Sequence, residues 1–343
     1  MIKNKNKIKI GNKILDSSKE VFCISEIGIN HEGDVNICAK MIKESAKAGA
    51  DAIKLQTIDA DENYLKDSIS YSLFKKSWLT EEETSNMFDY ARSLGVQPFT
   101  TVGDFKTLEW IKKLKPAIYK ISSGLITHIP LIKKISSFKE TVIMSSGTAN
   151  KKDLDIALGA VSKNSKKQII LLHCVSSYPT SYSQANLSKI IKLKETYKLP
   201  VGYSDHVLGY NASVAAVYLG SSVIEKHFTL DVSRKSFDHK ISLEPKEFKN
   251  MVKNINIYKS MLGKKNIWVS KDEKNNKKWM RRILVARTDL SVGHKITQSD
   301  IMYMRPASGI IGLSPEKDQL IFGKKVKKKI AKFKPIKVAN LND

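Results

Sequence analysis

Two lysines carry the first chemical signal in this 343-residue chain. Lys54 lies in AIKLQT (52–57) and Lys120 in AIYKIS (117–122), both short apolar runs of strand type. A buried ammonium group is costly unless an anion pairs with it. A substrate phosphate or carboxylate would be such a partner, with the hydroxyls of Ser123, Ser145 and Ser204 as supporting donors. The bland alternative is an outward-facing strand lysine whose head reaches water. Gln56 follows Lys54 by two residues and so shares its face. His206 follows PVGYSD (200–205), and His227 lies in SVIEKHF (222–228). Two imidazoles at the ends of neighbouring strands, with carboxylates nearby, suit Mn, Fe or Zn. Two unrelated polar histidines are the competing reading.

These residues need elements to hold them. From Val21 onward, β-branched runs alternate with amphipathic stretches. Strands are expected at 21–28, 52–57, 97–101, 117–122, 141–146, 168–174, 200–205 and 222–228. Helices are expected near 35–49, 80–94, 104–114, 128–137, 151–163, 186–197, 210–219 and 245–262. Thr80 can cap its helix while Glu83 reaches back to it, and Gly49, Gly95 and Gly220 mark helix ends. Eight strand–helix units in about 240 residues fit an α/β TIM (β/α)8 barrel. A doubly wound sheet shares the alternation, but the first strand is followed by IGINHEGD and not by a GxGxxG fingerprint.

In such a barrel the chemistry sits at the C-terminal strand ends, and this chain places polar residues at all eight. They include Glu26, Asn30, His31 and Glu32, then Thr101, Ser145 with Ser146, His173, Cys174 and Tyr178, and finally Asp205, Glu225 and His227. Of the remaining histidines, His128, His239 and His294 are expected in loops or at helix starts. After the barrel domain, 1–262, residues 263–281 are strongly polar and read as a linker. Residues 282–343 read as a small module of short strands and turns, one that leans on the barrel or on a second chain.

Composition narrows the class. Lys and Arg number 59 against 34 Asp and Glu, a net charge of +25. Only six residues are Arg, the preferred group for bidentate phosphate and base-edge contacts. The charge is therefore read as solvated lysine faces that draw in anionic substrates, with no specific nucleic acid and no membrane as partner. No run of 18 apolar residues is present, which excludes a spanning helix. Cys23, Cys38 and Cys174 form no CxxC pair, which fits a reducing cytoplasm.

The ordered set EIGINHEGD (26–34), KLQT (54–57), YKISSG (119–124), SSGT (145–148), LLHCVSSYPT (171–180), GYSDH (202–206) and IEKHFTLD (224–231) resembles the sialic acid synthase family. The stretches RILVARTDLSVGHKI (282–296) and MRPASGI (304–310) resemble that family's antifreeze-like (SAF) domain. The resemblance implies condensation of phosphoenolpyruvate with an open-chain N-acylated hexosamine to a nine-carbon nonulosonic acid plus phosphate. It implies a divalent metal, usually Mn2+ with Mg2+ or Co2+ as alternatives, held by His206 and His227. Lys54, Lys120, Ser123, Ser145 and Ser204 match the phosphoenolpyruvate cradle, and Glu26 matches an acid/base beside the metal. Gln56, Thr101, Tyr178 and Asp238 match sugar-side or supporting positions. Arg305 matches a residue given to the sugar's N-acyl group across a homodimer, the SAF domain covering the neighbour's site.

The chain departs from the family at Leu125, where many members carry Glu, at Val102-Gly103 in place of Pro-Phe, and at Ser176 in place of Asn. An apolar residue in place of a hydroxyl-binding acid suits a deoxygenated or more heavily acylated acceptor. FDHKISLEP (237–245) sits closer to the neuraminate and legionaminate branches than to the pseudaminate one. A pseudaminate synthase or another phosphoenolpyruvate-dependent sugar synthase is the alternative, and a basic nucleic-acid-binding protein the remote one.

Overall fold

Alternating apolar strands and one-sided helices must bury both faces of the sheet, and here the sheet closes on itself and the helices wrap it. The computed structural model describes residues 7–162, 169–235, 237–263, 266–307 and 309–342. The first residue of the expected strand 168–174, the last of the expected helix 151–163, linker residues 264–265 and residue 308 lie outside them. The chain divides into two units, Met1–Gly263 and Lys264–Asp343.

The first unit opens with a hairpin, β1 (Lys7–Ile10) and β2 (Lys13–Asp16). The strands β3 (Phe22–Gly28), β4 (Ala52–Thr57), β5 (Gln97–Val102) and β6 (Ile118–Ile121) follow. They continue as β7 (Thr141–Ser145), β8 (Ile169–Cys174), β9 (Val201–Asp205) and β10 (Val223–His227). These last eight strands are all parallel and close on themselves, β10 pairing with β3. The TIM barrel is thus confirmed, each strand within a residue or so of its expected limits. Each expected helix forms too, and Thr80 and Glu83 make the reciprocal cap. Two short helices, Ala60–Asn63 and Ile69–Lys76, were not foreseen in the loop after β4.

The hairpin was also missed, although Lys-Ile alternation around Gly11-Asn12 is a legible turn signal. It buries Ile8, Ile10 and Leu15 against Phe22, Ile24, Phe99, Ile118, Ile143 and Ile170 inside the barrel. Its turn is tied to the strand starts, the Gly11 amide donating to Thr141 Oγ1 at 3.1 Å and the Asn12 amide to Gln97 Oε1 at 3.2 Å. The hairpin therefore stoppers the N-terminal mouth. A larger apolar shell, including Ile42, Phe88, Leu108 and Phe248, packs the helices onto the outside.

The second unit pairs β11 (Ile283–Ala286) with β12 (Ile301–Met304) antiparallel. It has its own core, with Leu284, Leu290, Ile296, Ile321, Val326 and Ile336 buried. The expectation that it needs another surface to bury its apolar residues is corrected to that extent. Inside the segment read as an irregular linker, Lys271–Met280 is helical, with Ser270 and Glu273 forming a capping box. Every residue of that helix is exposed, so it carries no apolar stripe for a periodicity reading to find. Among the described residues, no helix is long and apolar enough to cross a membrane.

Candidate active site

Because side chains alternate along a strand, Glu26, Lys54, Gln56, Lys120, Ser145, Ser204, Glu225 and His227 can all face the barrel axis. Strand register then sets their neighbours. His227 lies beside Glu26, and Glu26 beside Lys54. Gln56 lies beside Thr101, and Thr101 beside Lys120. Ser204 lies beside Glu225.

Lys54 and Lys120 are 3% and 2% exposed, which settles the choice against outward-facing lysines. Their partners are carboxylates of the chain itself. Lys54 pairs with Glu26 and lies 3.3 Å from Glu225 Oε2, while Lys120 meets Glu225 Oε1 at 3.1 Å. Ser204 donates to the same Glu225 oxygen at 2.9 Å, and Gln56 donates to Glu26 at 3.1 Å. Burial alone would raise the Glu225 pKa, but Lys120 and Lys54 more than offset it and hold the carboxyl ionised. Lys54 is pushed down to about 7, first by burial and then by Lys120, against the pull of Glu225. Glu225 was seen as a strand-end residue but given no role. Its signal was its place two residues before His227, which puts both on one face.

Gly28 makes room for this network. The β3–β4 register shifts at that point, Gly28 has φ +55°, and a Cβ there would stand 2.9 Å from Glu26 Oε1. Such a bulge re-aims neighbouring side chains. Among the described residues, the buried hydroxyls of Thr101 and Ser145 have no hydrogen-bond partner. Ser123 Oγ lies 3.3 Å from Cys174 Sγ. A Cβ on Gly147 would clash with Ser123, Ser176 and Cys174 together, so three polar side chains converge on bare backbone.

The His206 and His227 rings lie 5.4 Å apart. His206 Nδ1 is 2.7 Å from the Val175 carbonyl, which places its proton on that nitrogen. Burial, then His206 and Lys54, pushes His227 well below the ordinary histidine pKa, and its Nδ1 has no hydrogen-bond partner. Two imidazoles this close together fit a divalent ion. Among the described residues, no group of three His, Cys, Asp or Glu is set to hold a metal, so water and substrate would complete the shell. Asp238 Oδ2 lies 3.6 Å from His227 Nδ1, and the Tyr178 ring packs on His206 at 4.2 Å.

The expected residues of the first unit thus converge. Arg305, expected to serve a neighbouring copy, belongs to the second unit and is exposed. The other histidines have structural partners. His173 Nε2 is 2.8 Å from the Ala185 carbonyl, and His294 is paired with Asp300. His128 caps the helix Ile129–Ser136. His31 accepts from the Gly33 amide, and burial lowers its pKa to about 4. A network at the rim was not foreseen. Glu32 holds Arg234 at 2.7 Å and His239 at 3.1 Å, and Asn30 accepts from the Asp238 amide at 3.0 Å.

Residues 41–267 match the NeuB family model. The chain belongs to the NeuB family. The NeuB chain is 34% identical to an N,N'-diacetyllegionaminic acid synthase of Campylobacter jejuni, across 87% of this chain and 94% of that one. It is 33% identical to a pseudaminic acid synthase of the same species, across 94% and 96%. A crystal structure of N-acetylneuraminic acid synthetase from Leptospira borgpetersenii, in complex with citrate, covers 79% of this chain and 94% of its own. It shares 34% identity with the NeuB chain at a TM-score of 0.75.

Proposed function

We propose that this NeuB-family enzyme condenses phosphoenolpyruvate with an open-chain N-acylated hexosamine, giving a nine-carbon nonulosonic acid and inorganic phosphate. The observation that carries the reading is the buried set Glu26, Lys54, Lys120 and Glu225 beneath His206 and His227. The two ammonium groups receive the donor's phosphate and carboxylate, competing with Glu26 and Glu225 for them. Thr101 and Ser145 supply hydroxyls that have no partner among the described residues, while Ser123 and Ser204 are further donors.

The reaction forms a C–C bond between C3 of phosphoenolpyruvate and the aldehyde carbon. Water then adds at C2, and the C2–O bond breaks as phosphate leaves. Glu26, once Lys54 turns to the substrate, is free to take the proton of the attacking water. Gln56 keeps the other carboxylate oxygen of Glu26 in place. His206 and His227 would hold a divalent metal, Mn2+ on this reading, which would supply Lewis acidity toward the aldehyde oxygen. Tyr178 packs on His206 at the open side, and Asp238 stands against His227; both are placed to meet the acceptor. Arg305 serves the N-acyl group of an acceptor bound in a neighbouring copy.

Leu125 favours a deoxygenated acceptor. It ends the turn Ser123–Leu125 and packs half-buried on the apolar shell, with no hydroxyl-binding group in its place. The acceptor is thus a 2,4-diacetamido-trideoxy hexose or N-acetylmannosamine, the first preferred. Phosphate release from purified protein with phosphoenolpyruvate, Mn2+ and each sugar tests this. Release with neither sugar would overturn the synthase reading. Release with a pseudaminate precursor alone would move the enzyme to that branch.

A further inference from the structure

The net charge is unevenly shared. Residues 264–343 hold 20 Lys and Arg against 7 Asp and Glu, a net of +13, while the 263 residues before them carry +12. A genome-wide lysine bias would load both parts alike.

Within the second unit the excess is narrower still, because the unit repeats itself at an offset of forty residues. The Leu290 amide donates to the Ile330 carbonyl at 2.8 Å, and the Ile330 amide returns the bond at 3.0 Å. Gly293 donates to Val326, and Phe333, forty residues on, donates to Ala286, each at 2.8 Å. Ile296 to Lys324 and Ile336 to Leu284 form the next such pair, each at 3.0 Å. The two halves are one backbone design with different surfaces. Residues 284–297 contain Arg287, Lys295 and Asp289, a net of +1; residues 324–337 contain eight lysines and no carboxylate, a net of +8. Seven of those eight lysines are exposed, and the nearby Asp289 pairs with Lys329 at 3.4 Å.

The turns at the two tips differ in the same sense. In the first, the residue in the left-handed region is Gly293, at φ +86°. In the second it is Phe333, at φ +62°. A bulky residue there strains the backbone. Phe333 is nevertheless 54% exposed, with the Lys332 ammonium 4.9 Å from its ring centre and Lys334 on its other side. Neither its conformation nor packing in the core accounts for a phenylalanine at this place.

We propose that the tip formed by residues 325–337 is a docking surface for a lipid bilayer with anionic headgroups. Clustered lysines suit such a surface, because they act as mobile point charges on long stems and demand no fixed geometry. One exposed aromatic ring among them can sit at headgroup depth while the ammonium groups stay in water. Nucleic acid fits less well. No arginine follows Arg305, and a single ring offers no platform for consecutive stacked bases. The sequence reading of no membrane partner took the lysines as solvated faces, and their concentration at one tip departs from that reading.

Flotation of the full-length protein with vesicles tests the proposal, using equal phosphatidylglycerol and phosphatidylcholine against phosphatidylcholine alone. Binding is expected to the anionic vesicles only, and to disappear in half-molar salt. The pair Lys332→Glu and Lys334→Glu should weaken partitioning at least about tenfold. Phe333→Gly should weaken it several-fold while leaving Tm unchanged or higher, a combination that a merely structural role would not give. Phosphate release without vesicles should be unaffected in both variants. Equal binding to neutral vesicles, wild-type partitioning of either variant, or tighter retention on a mixed-sequence oligonucleotide than on anionic vesicles at equal salt would each overturn the proposal.

Discussion

Along six of the eight barrel strands, two residues separate the apolar lower layer of the interior from the polar upper one. Ile24 is followed by Glu26 on the same face, Ala52 by Lys54, Phe99 by Thr101, Ile118 by Lys120, Ile143 by Ser145 and Val223 by Glu225. Both layers are buried to a similar degree, so exposure does not distinguish them. The lower layer is sealed by the hairpin and carries no polar side chain that needs a partner. The upper layer keeps four ionisable side chains linked by ion pairs, and hydroxyls with no partner among the described residues. Stability has little use for the second arrangement, since apolar residues of similar volume serve a core as well or better. The lower layer serves the fold, and the upper serves what enters from above.

The contrast can be broken most severely at the histidines. His206→Ala should lower kcat for phosphate release by about 10^3 or more, with little change in the urea midpoint. A variant that keeps even a tenth of wild-type activity would remove His206 from the chemistry. Ile10→Ala in the hairpin should do the reverse. It opens a cavity costing about 2–5 kcal/mol of unfolding free energy, read from urea titration, while kcat per folded molecule is retained.

Glu225 is expected to matter to both. Glu225→Gln leaves Lys120 without its carboxylate and Lys54 with Glu26 alone, and should cost about 3 kcal/mol. Replacing Glu26, Lys54, Lys120 and Glu225 together by Met should recover that loss and still leave no measurable phosphate release. A quadruple variant less stable than Glu225→Gln would mean that the charged network holds the fold together after all.

The smallest effect is one of pH. Lys54 loses its proton near pH 7 in the free enzyme, far below the ordinary lysine value of 10.5. An anionic donor binds the protonated form, so above pH 7 binding must draw a proton from solution. KM for phosphoenolpyruvate should therefore rise with pH above 7, by at most about tenfold per unit, and be flat below. Lys54→Arg should abolish the slope, because guanidinium keeps its proton.

How much of this was legible beforehand follows from the kind of signal each part leaves. The barrel announced itself through alternating strand and helix patterns, and the inward lysines through their apolar surroundings. Glu225 hid among three consecutive polar residues, Glu225, Lys226 and His227, where only strand parity separates inside from outside. Lys226 faces the other way and pairs with Asp205 at 3.6 Å beneath the helices. Glu225 could not be read as the partner shared by Lys54 and Lys120, because β10 comes beside β3 only when the sheet closes. The exposed helix Lys271–Met280 was invisible for a different reason, since nothing in it is buried.

The stopper formed by the hairpin has one more effect, on traffic. A barrel closed below is a blind shaft, and whatever rests on Lys54 and Lys120 lies beneath whatever meets His206 and Tyr178. The molecule that descends first must be the last to climb out. Donor and acceptor cannot exchange places in the queue, and an inert acceptor analogue would trap the donor under it and slow its escape.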